Sequence, residues 1–286
     1  MWIIYAFSSA FFAGITSILA KVGIKNTDSD VATAIRTIVI LIFSWVLVFI
    51  IRVQNEISTI ATRSLLFLIL SGLSTGASWI CYFRAMQLGD VNKVVPIDKS
   101  STILTMLLAF IILQESISIL GFIAMICISI GTFLMIQKQK INQNKKTNNK
   151  WLLFAILSAV FAALTSILGK IGIESVNSTL GTAIRTIVVL IMAWAIVFMQ
   201  RKAHLIKTID HKSMIFIVLS GLSTGLSWLC YYRALQDGEE SIVVPIDKLS
   251  ILVTIIFSYF YLKEKLSIKA IFGLLLICIG TLTLLL

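Results

Sequence analysis

Two copies of one hexapeptide carry a carboxylate and an ammonium into apolar sequence. Val94-Val95-Pro96-Ile97-Asp98-Lys99 recurs as Val243-Val244-Pro245-Ile246-Asp247-Lys248, and its prolines are the only two in the chain. An acid and a base inside a membrane-buried segment are costly and mark a functional site by default. Their chemistry is ion pairing and recognition of a charged ligand. Bond-breaking chemistry is not indicated: no triad, metal cluster or pair of carboxylates at catalytic spacing accompanies them, so no catalytic residue is assigned. His204 and His211 share a basic loop with no cysteine nearby, which leaves a zinc site unsupported, and no metal ligand is assigned. Cys81, Cys127, Cys230 and Cys278 fall in apolar segments without a C-x-x-C and read as small hydrophobes.

A second set of residues is polar but uncharged. Ser71, Thr75, Ser78 and Tyr82 fall at i, i+4, i+7 and i+11 and share one helical face; Ser220, Thr224, Ser227 and Tyr231 repeat it. Beside it runs Gly72-x-x-x-Gly76, continued by Trp79, with Gly221, Gly225 and Trp228 as the copy. Gly-x-x-x-Gly serves close helix packing, with hydroxyls satisfied across the contact. That reading and a cavity both fit the glycines. For the hydroxyl–tyrosine stripe and its tryptophans we read a substrate-binding, water-filled space, because lipid does not tolerate so continuous a polar face.

The elements that must position these groups follow from composition. The chain is 58% hydrophobic and 13% charged. A hydrocarbon core of about 30 Å needs roughly 20 apolar residues per helix. Such runs lie near 2–20, 31–51, 64–87, 94–114 and 119–136, and again near 151–169, 180–200, 213–236, 243–262 and 267–286. Helices are expected, since barrel strands would be short and alternating. Both prolines are expected in a first helical turn, where a missing N–H costs little. The first span lacks a basic n-region and a small-residue cleavage site, so it is expected to belong to the fold.

The chain is a tandem duplication. Pro96 and Pro245 are 149 residues apart, and at this offset 21 of the 31 positions in 71–101 match 220–250. The expected organisation is a five-helix repeat over 1–136, a lysine-rich linker over 137–150 and a second five-helix repeat over 151–286. Five is odd, so the second repeat enters the membrane from the opposite side. The predicted fold is an all-α membrane protein of ten transmembrane helices in two inverted repeats. In that arrangement Arg36, Arg84, Asp98 and Lys99 lie toward one membrane face, and Arg185, Arg233, Asp247 and Lys248 toward the other. Each set is a candidate gating cluster. Basic residues near helix ends commonly snorkel to the interface, which suits Lys21 and Lys170; a short aspartate cannot reach as far. Glu115 and Glu264 end their spans and read as capping or pairing groups.

The net charge of +11 is scattered over short loops, which indicates topology signals and anionic lipid rather than nucleic acid. Counting Lys and Arg in the loops puts the linker in the cytoplasm and both termini outside.

Taken together, the duplicated five-helix unit, the Arg of Ala34-Ile35-Arg36-Thr37, the Pro of Val95-Pro96 and the Glu of Gln114-Glu115-Ser116 resemble the EamA family of the drug/metabolite transporter superfamily. Arg185, Pro245 and Glu264 match in the second half. The resemblance covers essentially the whole chain. It implies a multi-pass plasma-membrane protein that exports or exchanges a small polar metabolite by alternating access, through a cavity lined by the first four helices of each half. It also implies both termini in the cytoplasm, against the charge count. Small multidrug exporters of the superfamily use a glutamate in their first helix. Here that helix offers Thr16, Ser17 and Lys21, and its copy Thr165, Ser166 and Lys170, so a cationic-drug mechanism loses its key residue. The basic groups favour an amino acid or organic acid as substrate. A flippase for a lipid-linked substrate is the alternative, and a membrane enzyme ranks last. No Walker motif is present, so no ATP hydrolysis by this chain and no cofactor are expected. Partners are the substrate and the bilayer. Internal duplication makes a monomer sufficient, with a homodimer as the other assembly.

Overall fold

The computed structural model describes residues 1–24, 27–88, 91–116, 118–135, 150–257 and 267–285. Most of the linker (137–149) and Glu264 lie outside these residues. The described chain is helical throughout: α1 (Trp2–Gly23), α2 (Ser29–Ile50), α3 (Thr62–Leu88), α4 (Val91–Lys99), α5 (Ser101–Ile112), α6 (Ile119–Met135), α7 (Lys150–Ile173), α8 (Ser178–Met199), α9 (His211–Asp237), α10 (Glu240–Lys248), α11 (Ser250–Phe257) and α12 (Ile268–Thr283). Among the described residues six helices are long and apolar enough to cross a membrane: α1, α2, α3, α7, α8 and α9; α6 and α12 are shorter apolar helices.

The fourth and ninth spans are each broken in two, at Ser100 and Leu249, four residues after the prolines. There the N–H of Ser100 turns to Ile97 O (3.1 Å) and that of Leu249 to Ile246 O (2.9 Å). The prolines are not in a first turn. α4 and α10 begin five residues before them, and Pro245 lies inside α10. The earlier start of α10 has a cause: the Glu115 carboxylate accepts from the N–H groups of Glu240 (2.7 Å) and Ser241 (2.8 Å), which would otherwise lack partners. Glu115 is thus a cap, though for a helix of the other sequence half.

Helix starts follow local chemistry. Asp28 accepts from Asp30 N–H (2.9 Å), Asn177 from Thr179 N–H (3.0 Å) and Asp210 from Ser213 N–H (2.9 Å). α2 and α8 end alike, on Arg52 and Arg201 at φ 59° and 56°. The next N–H returns to a carbonyl five residues back, Val53 to Val48 (3.2 Å) and Lys202 to Val197 (3.0 Å), closing a Schellman turn.

The contacts form two compact units, each drawing on both halves of the sequence. One comprises 1–73, 168–238 and 246–264, the other 74–167, 239–245 and 265–286. In the first, α2 and α8 run antiparallel, since the end of each meets the start of the other. Val53 packs with Val48, Val176, Leu180 and Ala183, whereas its counterpart Lys202 binds Asp28 (2.9 Å) and Asp30. In the second unit α6 and α12 are antiparallel: Gly131 lies against Gly273, and Gly280 against Ala124.

Candidate functional site

The hydroxyl stripes are buried. Ser71 and Ser220 are fully covered, and Thr75, Ser78, Thr224 and Ser227 nearly so. The i, i+4, i+7 spacing turns three hydroxyls to one side, and their partners come from the other half of the chain. Thr75 Oγ1 is 3.3 Å from Thr165 Oγ1, and Ser78 Oγ donates to Ser158 O (3.0 Å). On α9, Ser220 donates to Thr16 O (3.3 Å), Thr224 to Thr16 Oγ1 (3.4 Å), and Ser227 Oγ is 3.3 Å from Ser9 Oγ. Ser223, absent from the predicted stripe, donates to Phe12 O (2.8 Å). As α1 numbers fall, α9 numbers rise, so this pair is antiparallel.

Two arginines meet these stripes. Arg36 Nη2 donates to Thr224 Oγ1 (2.9 Å), and its buried Nε finds no acceptor among the described residues. Arg185, 3% exposed, donates from Nε to Ser71 Oγ (2.9 Å). Its guanidinium carbon stands 5.1 Å from the ring centroids of both Trp228 and Tyr232, within cation–π range of each. The stacking tyrosine is Tyr232, buried at 2%; Tyr231 of the polar stripe contacts it edge-on. Close approach of α2 depends on Gly221: a Cβ there would stand 2.8 Å from Val39 Cβ and 3.1 Å from Arg36 O.

The aspartates find serines. Ser9 Oγ donates to Asp247 Oδ1 at 2.7 Å, and Ser158 Oγ to Asp98 Oδ1 at 2.7 Å. Both carboxylates are partly exposed. Arg233, exposed on α9, pairs with Asp237 (3.2 Å) and bonds Gln236 (3.2 Å). Arg84 and Lys99 are exposed, Lys248 is partly buried, and Trp79 and Trp228 are partly buried. Tyr82 packs beside Ala85, Val94 and Ala155. Lys170 departs from the snorkelling expectation: it donates to Gly238 O (2.8 Å), because the carbonyl left at the end of α9 is a nearby acceptor.

Ser9 and Ser158 were not singled out by the sequence reading. The signal was present, since Ser9-Ala10 and Ser158-Ala159 coincide at the 149-residue offset. A lone serine in an apolar helix carries no mark until its partner is known. Lys202 and its two aspartates were likewise legible only as loop charge.

Membrane-length helices whose polar groups are satisfied by one another define a multi-pass integral membrane protein. The EamA-like transporter family matches residues 1–137 and 149–286, and the chain belongs to that family of membrane transporters. It is 42% identical over 137 residues to an "Uncharacterized transporter in cobO 3'region" from Sinorhizobium sp., covering 48% of this chain and 97% of that one. An uncharacterised protein of Methanocaldococcus jannaschii is 29% identical over 129 residues, covering 45% of this chain and 91% of its own. A solved crystal structure covering 99% of this chain and 97% of that one shares the fold, with a TM-score of 0.79 at 13% identity.

Proposed function

We propose that the chain is a secondary transporter of ten transmembrane helices in two inverted repeats, moving a small carboxylate-bearing metabolite by alternating access at the plasma membrane. The carrying observation is the pair of buried guanidiniums. Arg36 keeps an unused Nε, and Arg185 is held by two rings and Ser71. Arginine is suited to planar recognition of a carboxylate, and a positive interior disfavours a cationic drug. Support for inversion comes from the antiparallel packing of α2 with α8 and of α6 with α12, and from relatives that span only half of this chain. The hydroxyl stripes line the path once their helix contacts part, and the aspartate–serine bonds keep each mouth shut until then.

A thermal-shift screen of amino and organic acids on purified protein, followed by liposome flux of each hit, tests this. Acids should stabilise the protein and be transported, and Arg36→Ala should abolish the stabilisation. Transport of cationic drugs with no response to acids contradicts it.

One observation favours a second reading, the handling of a lipid-linked substrate. An open apolar face of α1, formed by Ile3, Ile4, Phe7, Ser8, Phe11 and Phe12, could lie against an alkyl chain. Flux of a water-soluble acid in liposomes free of such lipids decides against it.

A further inference from the structure

The two aspartates after the prolines are held by hydroxyls. Ser9 Oγ lies 2.7 Å from Asp247 Oδ1 and 3.3 Å from Ser227 Oγ. Ser158 Oγ lies 2.7 Å from Asp98 Oδ1 and 3.4 Å from Ser78 Oγ. All four serines are buried, at 0 to 7% exposure, while the carboxylates retain some. Each cluster belongs to a different unit and the two correspond residue for residue at the same offset. The geometry has therefore arisen on both sides of the duplication.

The choice of partner is chemically informative. A hydroxyl donates and accepts; an ammonium or guanidinium only donates and favours the ionised acid. A serine can donate to a carboxylate and then accept from the carboxylic acid, so it serves both protonation states. Charges on the elements packed around Asp247 are Lys21 toward the far end of α1, His211 and Lys212 at the start of α9, Arg233 and Asp237 bonded to each other near its end, and Glu240 and Lys248 on α10 itself. Tyr5 and Tyr231 are the nearer phenols on those helices. Around Asp98 they include Arg63 at the start of α3, Arg84 and Lys99, both exposed, the phenol of Tyr82, and on α7 Lys150 at its start and Lys170, bonded to Gly238 O.

We propose that Asp98 and Asp247 are two equivalent proton-binding sites, one per repeat, that couple transport to the proton gradient. The inference rests on the transporter reading above. In the step itself a proton adds to one carboxylate oxygen, an O–H bond forms, the site's charge goes from minus one to zero, and the serine hydroxyl reorients from donor to acceptor. No other reactant is required. The break at Ser100 and Leu249, one turn or less beyond each carboxylate, offers a hinge on which this change in charge can act.

The test needs no substrate. Infrared difference spectra of the purified protein in lipid, recorded across a pH titration, report carboxylic-acid C=O stretches directly. Two such components are expected; Asp247→Asn should remove one, Asp98→Asn the other, and the double variant both. Ser9→Ala should shift the C=O frequency of the Asp247 component, because the acid loses its hydroxyl partner, and leave the Asp98 component in place; Ser158→Ala should do the converse. Asp247→Glu keeps a carboxyl and should restore a component if the asparagine variant is poorly folded. Spectra unchanged by both asparagine variants overturn the proposal, as do C=O frequencies indifferent to the serines. Intact components in a protein that carries no solute would instead count against the transport reading alone.

Discussion

Lys202 shows how one residue can distinguish two otherwise equivalent seams. Its counterpart Val53 closes one end of the α2–α8 contact with apolar side chains, and Lys202 closes the other with Asp28 and Asp30. Burial alone would raise the Asp28 pKa, but the Lys202 hydrogen bond and the N–H groups of Val31 and Asp30 outweigh it, and the net shift is downward. Burial would lower Lys202, but its two aspartates raise it on balance. The signs then fix the pH window. A lowered aspartate contributes stability above its ordinary range that is lost as pH falls through its folded value; a raised lysine contributes stability that is lost only as pH rises through its own. Lys202→Met should therefore cost up to about 1 kcal/mol at neutral pH, as a partly exposed ion pair would. That cost should vanish in acid and shrink at high salt, as thermal unfolding of variant and parent across pH can check. Val53→Met should show no such dependence. Arg52 and Arg201 offer a second residue-level check. Left-handed backbone costs a non-glycine residue about 1–2 kcal/mol, so Arg52→Gly should raise the melting temperature, by up to about 1 kcal/mol of stability once the entropy of glycine is counted.

Elements here are defined by what ends and caps them. Glu115 supplies the start of α10, so Glu115→Ala should fray that helix, at a cost of about 1 kcal/mol, and hydrogen exchange at Glu240 and Ser241 should rise. The α6–α12 pair depends on small residues. A Cβ on Gly131 would stand 2.6 Å from Gly273 O, so Gly131→Leu should destabilise by about 1–3 kcal/mol, as overpacking does, with loss of the folded fraction in size-exclusion profiles. The spans themselves were legible because apolar length is a strong signal, and eight of the ten appear as single helices close to their expected limits. The broken pair was not. A proline at the edge of an apolar run reads as a first turn, and for Pro245 it is the distant Glu115 that starts the helix earlier.

At the scale of the molecule, duplication was the most readable feature, because identity at a fixed offset needs no knowledge of contacts. The pairings that the duplication creates were hidden. Ser9 with Asp247 and Ser158 with Asp98 lie 238 and 60 residues apart, and neither serine stands out locally. The charges were expected to answer one another within each cluster, but Arg233 turns to Asp237 four residues on, where the helix brings it without a tertiary contact. The central proposal is that two equivalent sites, each built from both repeats, open in turn to opposite sides of the membrane. Side-specific labelling measures this directly. In a cysteine-free background, Ser78→Cys combined with Asp98→Asn should react with an impermeant thiol reagent from one side of the membrane. Ser227→Cys combined with Asp247→Asn should react from the other. Labelling of both from the same side, or of neither under any condition, contradicts the account.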